Sequence, residues 1–248
     1  MFKKILVTGL GAFFTINAVA GDGVFDPNLP LEWASIITLS GGPAWVSPGK
    51  DQYLYPTPPL PANYFIADNK TTTLGTGEIY FGLQRLLCPD LIGQFGIGVA
   101  AASDAQLSGV INVNGGVPAV TTYQYQVSHV RAEFKGKLIG FGYRLLQPYV
   151  SGSFGAGFNH AHDYLSRTID PVLYPLAKFA TNSTVAFSYT VGLGVQKMVT
   201  QNWQVGVGYE FADWGKNYLG GNGVSLSQGP GSAHLYTNEL LFSLSYLF

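Results

Sequence analysis

The sequence predicts an all-β fold, an eight-stranded antiparallel up-and-down transmembrane β-barrel, on three observations. Hydrophobic residues make up 47% of the 248-residue chain and charged ones only 11%, against roughly 25% charged in a soluble domain. Beyond residue 20 no apolar run approaches the roughly 18 residues from which a membrane helix is read, so the hydrophobicity is distributed in some other way. It alternates, in segments of about ten residues, the length a tilted strand needs to cross a bilayer. Residues 33–248 are assigned to this barrel domain.

At the N-terminus, Lys3 and Lys4 precede an apolar stretch, Ile5 to Phe14, and an Ala18-Val19-Ala20 cleavage site. That order reads residues 1–20 as a secretory signal peptide, with an apolar part too short for a spanning anchor. Residues 21–32 follow as a short periplasmic tail. Export of a strand-built membrane protein implies the outer membrane of a Gram-negative bacterium. The chain carries a formal charge of −1, made more acidic by loss of Lys3 and Lys4, and no basic patch invites nucleic acid. Cys88 is the single cysteine; it has no partner for an internal disulfide and lies far from the cleavage site.

Trp33 to Ala44 opens the barrel, with both faces partly apolar, so its orientation stays open. A Pro-rich connection, Val46 to Thr73, leads to a second strand in which Ile79, Phe81 and Leu83 alternate with Glu78, Tyr80, Gly82 and Gln84. After a short turn near Cys88 to Ile92, Phe95, Ile97 and Val99 alternate with Gln94, Gly96 and Gly98. A long connection, Ser103 to Thr122, precedes the fourth strand, Tyr123 to Leu138. There the apolar set shifts from Tyr123, Tyr125 and Val127 to Val130, Ala132, Phe134 and Leu138, a change of phase that one β-bulge would produce.

The fifth strand sets Val150, Phe154, Ala156 and Phe158 against Ser151, Ser153, Gly155 and Gly157, and a long connection, Asn159 to Asn182, follows it. In Thr184 to Gln196 the apolar face runs unbroken from Val185 to Val195. Trp203 to Ala212 repeats the design, with Trp203, Val205, Val207, Tyr209 and Phe211 on one side. A Gly-rich connection, Asn217 to Ala233, precedes the last strand, Tyr236 to Phe248. Connections after the second, fourth and sixth strands are short and the others long, the pattern of periplasmic turns and extracellular loops.

A soluble β-sandwich also alternates, but its second face is charged and wet. Here the second face is mostly Gly, Ala, Ser and Thr, suited to a crowded lumen, and eight strands enclose an interior that side chains just fill. Lipid makes closure obligatory, because no water satisfies the backbone groups of an open edge. The inward face carries the charge: Glu78, Arg131, Glu133, Lys135, Glu210 and Glu239, with His129 near them, are expected to form a lumenal ion-pair network, since buried charges must be paired. Their expected role is structural. Such a network argues against a general diffusion pore and leaves a narrow small-solute channel as an alternative.

In the long connections, Tyr53, Tyr55, Tyr64, Phe65, Tyr164 and Tyr174 offer contact area for host, phage or neighbouring molecules, or anchors at the lipid headgroups. His160, His162 and Asp163 fall just past the fifth strand, at the outer rim. A His-x-His pair on a strand places two imidazoles on one face, where weak metal binding is conceivable, and some small barrels use rim Ser/His or His/Asp sites to modify lipids. A deacylase-like His-x-Ser pattern is not met, because position 162 is His and position 131 is Arg. With no phosphate-cradling loop, Cys-rich metal site or triad spacing, no enzyme activity, cofactor or metal is expected, and a lipid-modifying enzyme is kept as an alternative.

The terminal run Leu240-Leu241-Phe242-Ser243-Leu244-Ser245-Tyr246-Leu247-Phe248 resembles the C-terminal signature of outer-membrane barrels, alternating hydrophobics that end in an aromatic residue. Gly206 to Lys216 (GVGYEFADWGK), and the mature chain as a whole, resemble in pattern the eight-stranded OmpA transmembrane domain and the opacity-type surface proteins. The resemblance implies recognition of Tyr246 and Phe248 by the barrel assembly machinery. It also implies contact with outer-membrane lipids and lipopolysaccharide, and a structural or adhesive role through long extracellular loops. It departs from full-length OmpA in that no peptidoglycan-binding domain follows Phe248, so cell-wall tethering is not expected.

Overall fold

The computed structural model describes residues 33–56, 62–112, 121–140, 146–168, 178–223 and 225–248; the expected signal peptide, the tail and Tyr174 lie outside the described residues. Strands account for the regular structure, in chain order β1 (Ala34–Val46), β2 (Gln52–Leu54), β3 (Asn63–Ala67), β4 (Thr72–Cys88), β5 (Leu91–Asn112), β6 (Thr121–Gly140), β7 (Gln147–Thr168), β8 (Asn182–Met198), β9 (Trp203–Asp213), β10 (Asn217–Gly220), β11 (Gln228–Ser232) and β12 (Tyr236–Leu247). Eight of them, β1, β4, β5, β6, β7, β8, β9 and β12, form a ring of antiparallel neighbours that closes where β1 pairs with β12, Ile36 opposite Leu247. Inside this seam Thr38 Oγ1 and Ser245 Oγ meet at 2.8 Å. β1 is thereby oriented, with Ile37 and Leu39 outside and Ile36 and Thr38 inside.

The ring has the inside-out polarity that lipid imposes. Phe81, Phe95, Ile97, Phe134, Phe154 and Phe187 stand exposed on the outside, while Glu78, Gln94, Arg131, Glu133, Thr190 and Glu210 are buried. Trp203 against Tyr246 near the short turns, and Phe211 against Tyr236 at the other end, contribute to two aromatic girdles. A closed, even-stranded antiparallel ring with this exterior is the outer-membrane type of transmembrane barrel.

The outer ends depart from expectation. Connections read as long loops contain strand among the described residues: the first holds the β2–β3 hairpin, the second the ends of β5 and β6, and β7 continues through Asn159 to Thr168. β3 pairs with β5, Tyr64 opposite Asn112, so β2, β3, β5, β6 and β7 rise from the ring as a blade. On the other side of β7, pairing with β8 stops at Ala161 opposite Asn182. These extensions persist above the bilayer because their inner face has an apolar cluster to cover.

β6 also corrects the expected change of phase. Tyr123, Tyr125, Val127, His129, Arg131, Glu133 and Lys135 are all buried, one unbroken inward row. The irregularities sit on its neighbours, between Ala102 and Ala105 on β5 and around Asp163 on β7, where Asp163 takes a positive φ of 54°. The upper apolar residues face an apolar interior rather than lipid.

Candidate functional site

The inward row of β6 meets side chains from across the ring. Arg131 is 2% exposed. Its Nε donates to Glu133 Oε2 at 2.8 Å and its Nη2 to Glu210 Oε1 at 2.9 Å. Its Nη1 lies 3.5 Å from Glu239 Oε1, on β12, the strand opposite β6 in the ring. Two inward positions further along β6, Lys135 Nζ donates to Glu78 Oε2 at 2.6 Å and to Glu210 Oε2 at 2.8 Å. Arg131 and Lys135 thus tie β4, β6, β9 and β12 together through the barrel axis.

Hydroxyl groups complete the belt. Ser153 Oγ donates to Glu133 Oε2 at 2.6 Å, and Thr237 Oγ1 to Glu239 Oε1 at 2.9 Å. Small residues make room for it: a Cβ at Gly98 would meet the Glu133 side chain at 3.4 Å. Toward the short-turn end Lys137 Nζ lies over the Tyr149 ring at 4.3 Å, and Gln94 Nε2 donates to Gln84 Oε1 at 2.7 Å. The recess between these levels, lined by Glu78, Tyr80, Lys135, Lys137 and Tyr149, has a volume of about 30 Å³, room for about one water.

His129 is not part of the ion-pair belt, which corrects the grouping read from the sequence. Its Nδ1 lies 2.7 Å from Asn159 Oδ1, and its ring stacks on Trp214 at 4.4 Å between centroids. Asn159 in turn donates to the carbonyls of Trp214 and Lys216. An amide and an indole rather than a carboxylate face the imidazole, whose Nε2 is left without a hydrogen bond among the described residues, and His129 forms the floor of the next tier.

That tier is apolar. Phe65, Tyr123, Phe179, Trp214, Leu219 and Leu235 are buried together, with Phe65 5.2 Å from Tyr123 and Tyr164 4.9 Å from Phe179 between ring centroids. β10 and β11 supply part of it after a turn at Gly215, whose φ of 74° suits glycine and whose N–H donates to Asp213 Oδ1. The β10–β11 hairpin is held to β2 by the Gln52 side chain, which donates to Gly231 O at 3.1 Å and accepts from Gly231 N at 3.4 Å.

The expected contact aromatics therefore divide. Tyr53 and Tyr55 are exposed. Tyr53 stacks on Tyr64 at 4.3 Å, and Tyr64 donates to Asp51 at 3.1 Å; that hydrogen bond, first, raises its phenol above the ordinary value. Phe65 is 1% exposed and belongs to the interior, because the β2–β3 hairpin turns this face onto Tyr123. Tyr164 packs there as well.

His160 and His162 stand on the outer side of β7, within the strand rather than beyond it, their rings 5.1 Å apart. His162 lies 3.0 Å from Asp163 and 3.5 Å from Asp104. His160 Nδ1 lies 2.8 Å from Ser183 Oγ, a contact between residues far apart in the chain that no local motif announces. No group of three metal-ligating side chains occurs among the described residues. Sequence reasoning also missed Asn159, Trp214 and the contact of His234 Nδ1 with Asp213 Oδ2 at 2.6 Å. The Asp-Trp-Gly run at the end of β9 was their visible trace.

At the seam, Tyr246 lies against Trp203, and Phe248 exchanges backbone hydrogen bonds with Ser35. Cys88 is exposed beside the Pro89–Asp90 turn.

No protein-family model matches the chain, and no curated protein matches it. Among solved structures it is similar to Neisserial surface protein A, at 12% identity over 86% of this chain and 97% of that one, with a TM-score of 0.45. It is similar to the outer membrane protease OmpT from Escherichia coli at 10% identity, 90% and 100% coverage and a TM-score of 0.47. Ail, the attachment invasion locus protein of Yersinia pestis, is similar at 13% identity, 86% and 99% coverage and a TM-score of 0.35. The closed ring and its apolar exterior, rather than these similarities, identify an integral protein of the Gram-negative outer membrane.

Proposed function

We propose that the chain is a non-conducting surface protein whose barrel is a plugged, rigid mount and whose extracellular blade contacts host, phage or neighbouring molecules. The observation that carries this reading is the double filling of the interior, an ion-pair belt at lipid height and an apolar tier above it. A solute path along the axis would have to break both. Contact then falls to the outside of the blade, where Tyr53 and Tyr55 are presented without a share in the apolar tier. Delivery by a cleaved signal peptide and insertion by the barrel assembly machinery through Tyr246 and Phe248 belong to the same proposal.

The test is adhesion, serum survival and phage sensitivity of cells carrying Tyr53→Ala with Tyr55→Ala, which leaves the interior intact. The expected result is loss of at least one phenotype at unchanged surface abundance; three unchanged phenotypes contradict the reading.

One observation favours a second reading, a lipid-modifying enzyme. Ser183 and His160 meet at 2.8 Å on the outer wall, just above the outward apolar residues Phe158 and Val185, a place an acyl ester could reach. Mass spectrometry of lipid A from cells with the wild-type chain and with His160→Ala decides it: altered acylation only with wild type supports the enzyme, and identical spectra remove it.

A further inference from the structure

The outer face of the blade carries a groove that the proposed surface role does not yet use. It has a volume of about 700 Å³, and its walls include Asp68, Lys70, Gln106, Ser108, Gln124 and Arg167. A second recess of about 330 Å³ shares Gln106, Gln124 and Leu165 with it. Each falls in the size range of small-molecule sites.

Its chemistry is specific. Below it, the outward residues of β5, β6 and β7 are Val99, Val130 and Phe158, all exposed to lipid. Above them the same faces turn to amides and hydroxyls, too polar for acyl chains. Gln106 Nε2 donates to Gln124 Oε1 at 3.3 Å, which leaves Gln106 Oε1 and the Gln124 side-chain N–H groups for a ligand, while the Gln106 backbone carbonyl accepts from Thr72 Oγ1. Asp68, the carboxylate among the six, accepts from Ser108 Oγ at 2.8 Å. Lys70 and Arg167 are both exposed, and among the described residues neither forms an ion pair. Two cations thus border a cradle of amides and hydroxyls, with Leu165 and Val110 available to the C–H faces of a ring. A guanidinium matches phosphate or sulfate oxygens in pairs, and an ammonium meets them as a point charge.

We propose that this groove binds a phosphorylated or sulfated saccharide, Lys70 and Arg167 holding the anionic groups while Gln106 and Gln124 address ring hydroxyls. The inference rests on the reading of the blade as the working part of the molecule. Its height, directly above the lipid-facing wall, makes two sources reachable: the phosphorylated sugars of lipopolysaccharide in the same leaflet, and sulfated glycans outside the cell.

The experiment is calorimetric titration of the refolded full-length barrel in micelles with three probes: a phosphorylated core oligosaccharide freed of lipid A, a heparin-derived oligosaccharide, and its desulfated form. Binding of one or both anionic probes, weakening with salt, is expected, and which of them binds names the source. Arg167→Gln should weaken binding about tenfold, as loss of a charge-assisted hydrogen bond does, and Lys70→Gln with it further still. Equal binding by the double variant, binding of the desulfated probe as tight as that of an anionic one, or no binding of either anionic probe overturns the proposal. None of these results touches the adhesion phenotypes of the Tyr53 and Tyr55 variant, so failure of the groove and failure of the surface role are read separately.

Discussion

Two tiers of one interior, built on the same strands, have opposite chemistry. On β6 the inward row runs from Tyr123, Tyr125 and Val127 through His129 to Arg131, Glu133 and Lys135 without a change of phase. Where the outer wall is Val130, Ala132 and Phe134, the inside is charged; where the outer wall is Gln124, Gln126 and Ser128, the inside is apolar. Each tier hides what its surroundings refuse. At bilayer height the wall must be apolar, so the charges turn inward and are paired. Above the bilayer water solvates the wall, so the apolar residues turn inward and pack as in a soluble sheet. The belt is therefore held by electrostatics away from water, and the cap by hydrophobic burial that needs water outside.

Arg131→Ala should have the largest effect. It leaves Glu133, Glu210 and Glu239 with fewer donors in the interior, and breaking a buried pair in this way costs about 3–5 kcal/mol. Urea unfolding of the refolded barrel reads it, and adding Glu133→Ala should recover part of the loss. Additive losses would mean that the two side chains are not coupled.

Phe65→Ala comes next. Removing a buried phenyl ring costs roughly 3 kcal/mol, but in the cap alone. Limited proteolysis should cut the β2–β3 hairpin while unfolding of the ring stays at its wild-type midpoint; a matching fall in that midpoint would show the tiers to be one cooperative unit.

Gln52→Ala removes the paired hydrogen bonds to Gly231, worth about 1 kcal/mol. Faster amide exchange confined to β10 and β11 is the expected outcome, and unchanged exchange there would deny that Gln52 holds the hairpin.

The smallest effect is a pH dependence of the cap. Burial pushes the Tyr164 phenol up to about 12 and raises those of Tyr123 and Tyr125 as well. A raised phenol contributes stability that is fully present below its unfolded value of about 10 and lost as pH rises through the folded one. Proteolysis of the cap should therefore increase as pH rises above about 10; susceptibility that stays flat there would mean that these phenols already meet water.

The ring was legible in the sequence because lipid leaves few solutions: Ile79, Phe81 and Leu83 beside Glu78 and Tyr80 can only alternate out and in. The charged belt was legible for the same reason, Arg131 and Lys135 having no other place to be. The cap was not. Phe65, Phe179 and the pair Leu219 and Leu235 come from three separate connections with no shared periodicity, and only the folded chain brings them together. The apolar Tyr123, Tyr125 and Val127 suggest a change of phase, whereas a single inward row leaves the bilayer there. The face of His129 groups it with the charges, whereas its own contacts are a hydrogen bond to Asn159 and a stack on Trp214. The Ser183–His160 contact joins two strands whose register no local pattern reveals.

Planar-bilayer recording of the purified, refolded chain tests the filled interior most directly. No conductance steps are expected from the wild type, and steps should be seen only when Arg131→Ala is combined with Trp214→Ala, which opens both tiers. Stable steps from the wild-type protein would contradict the account.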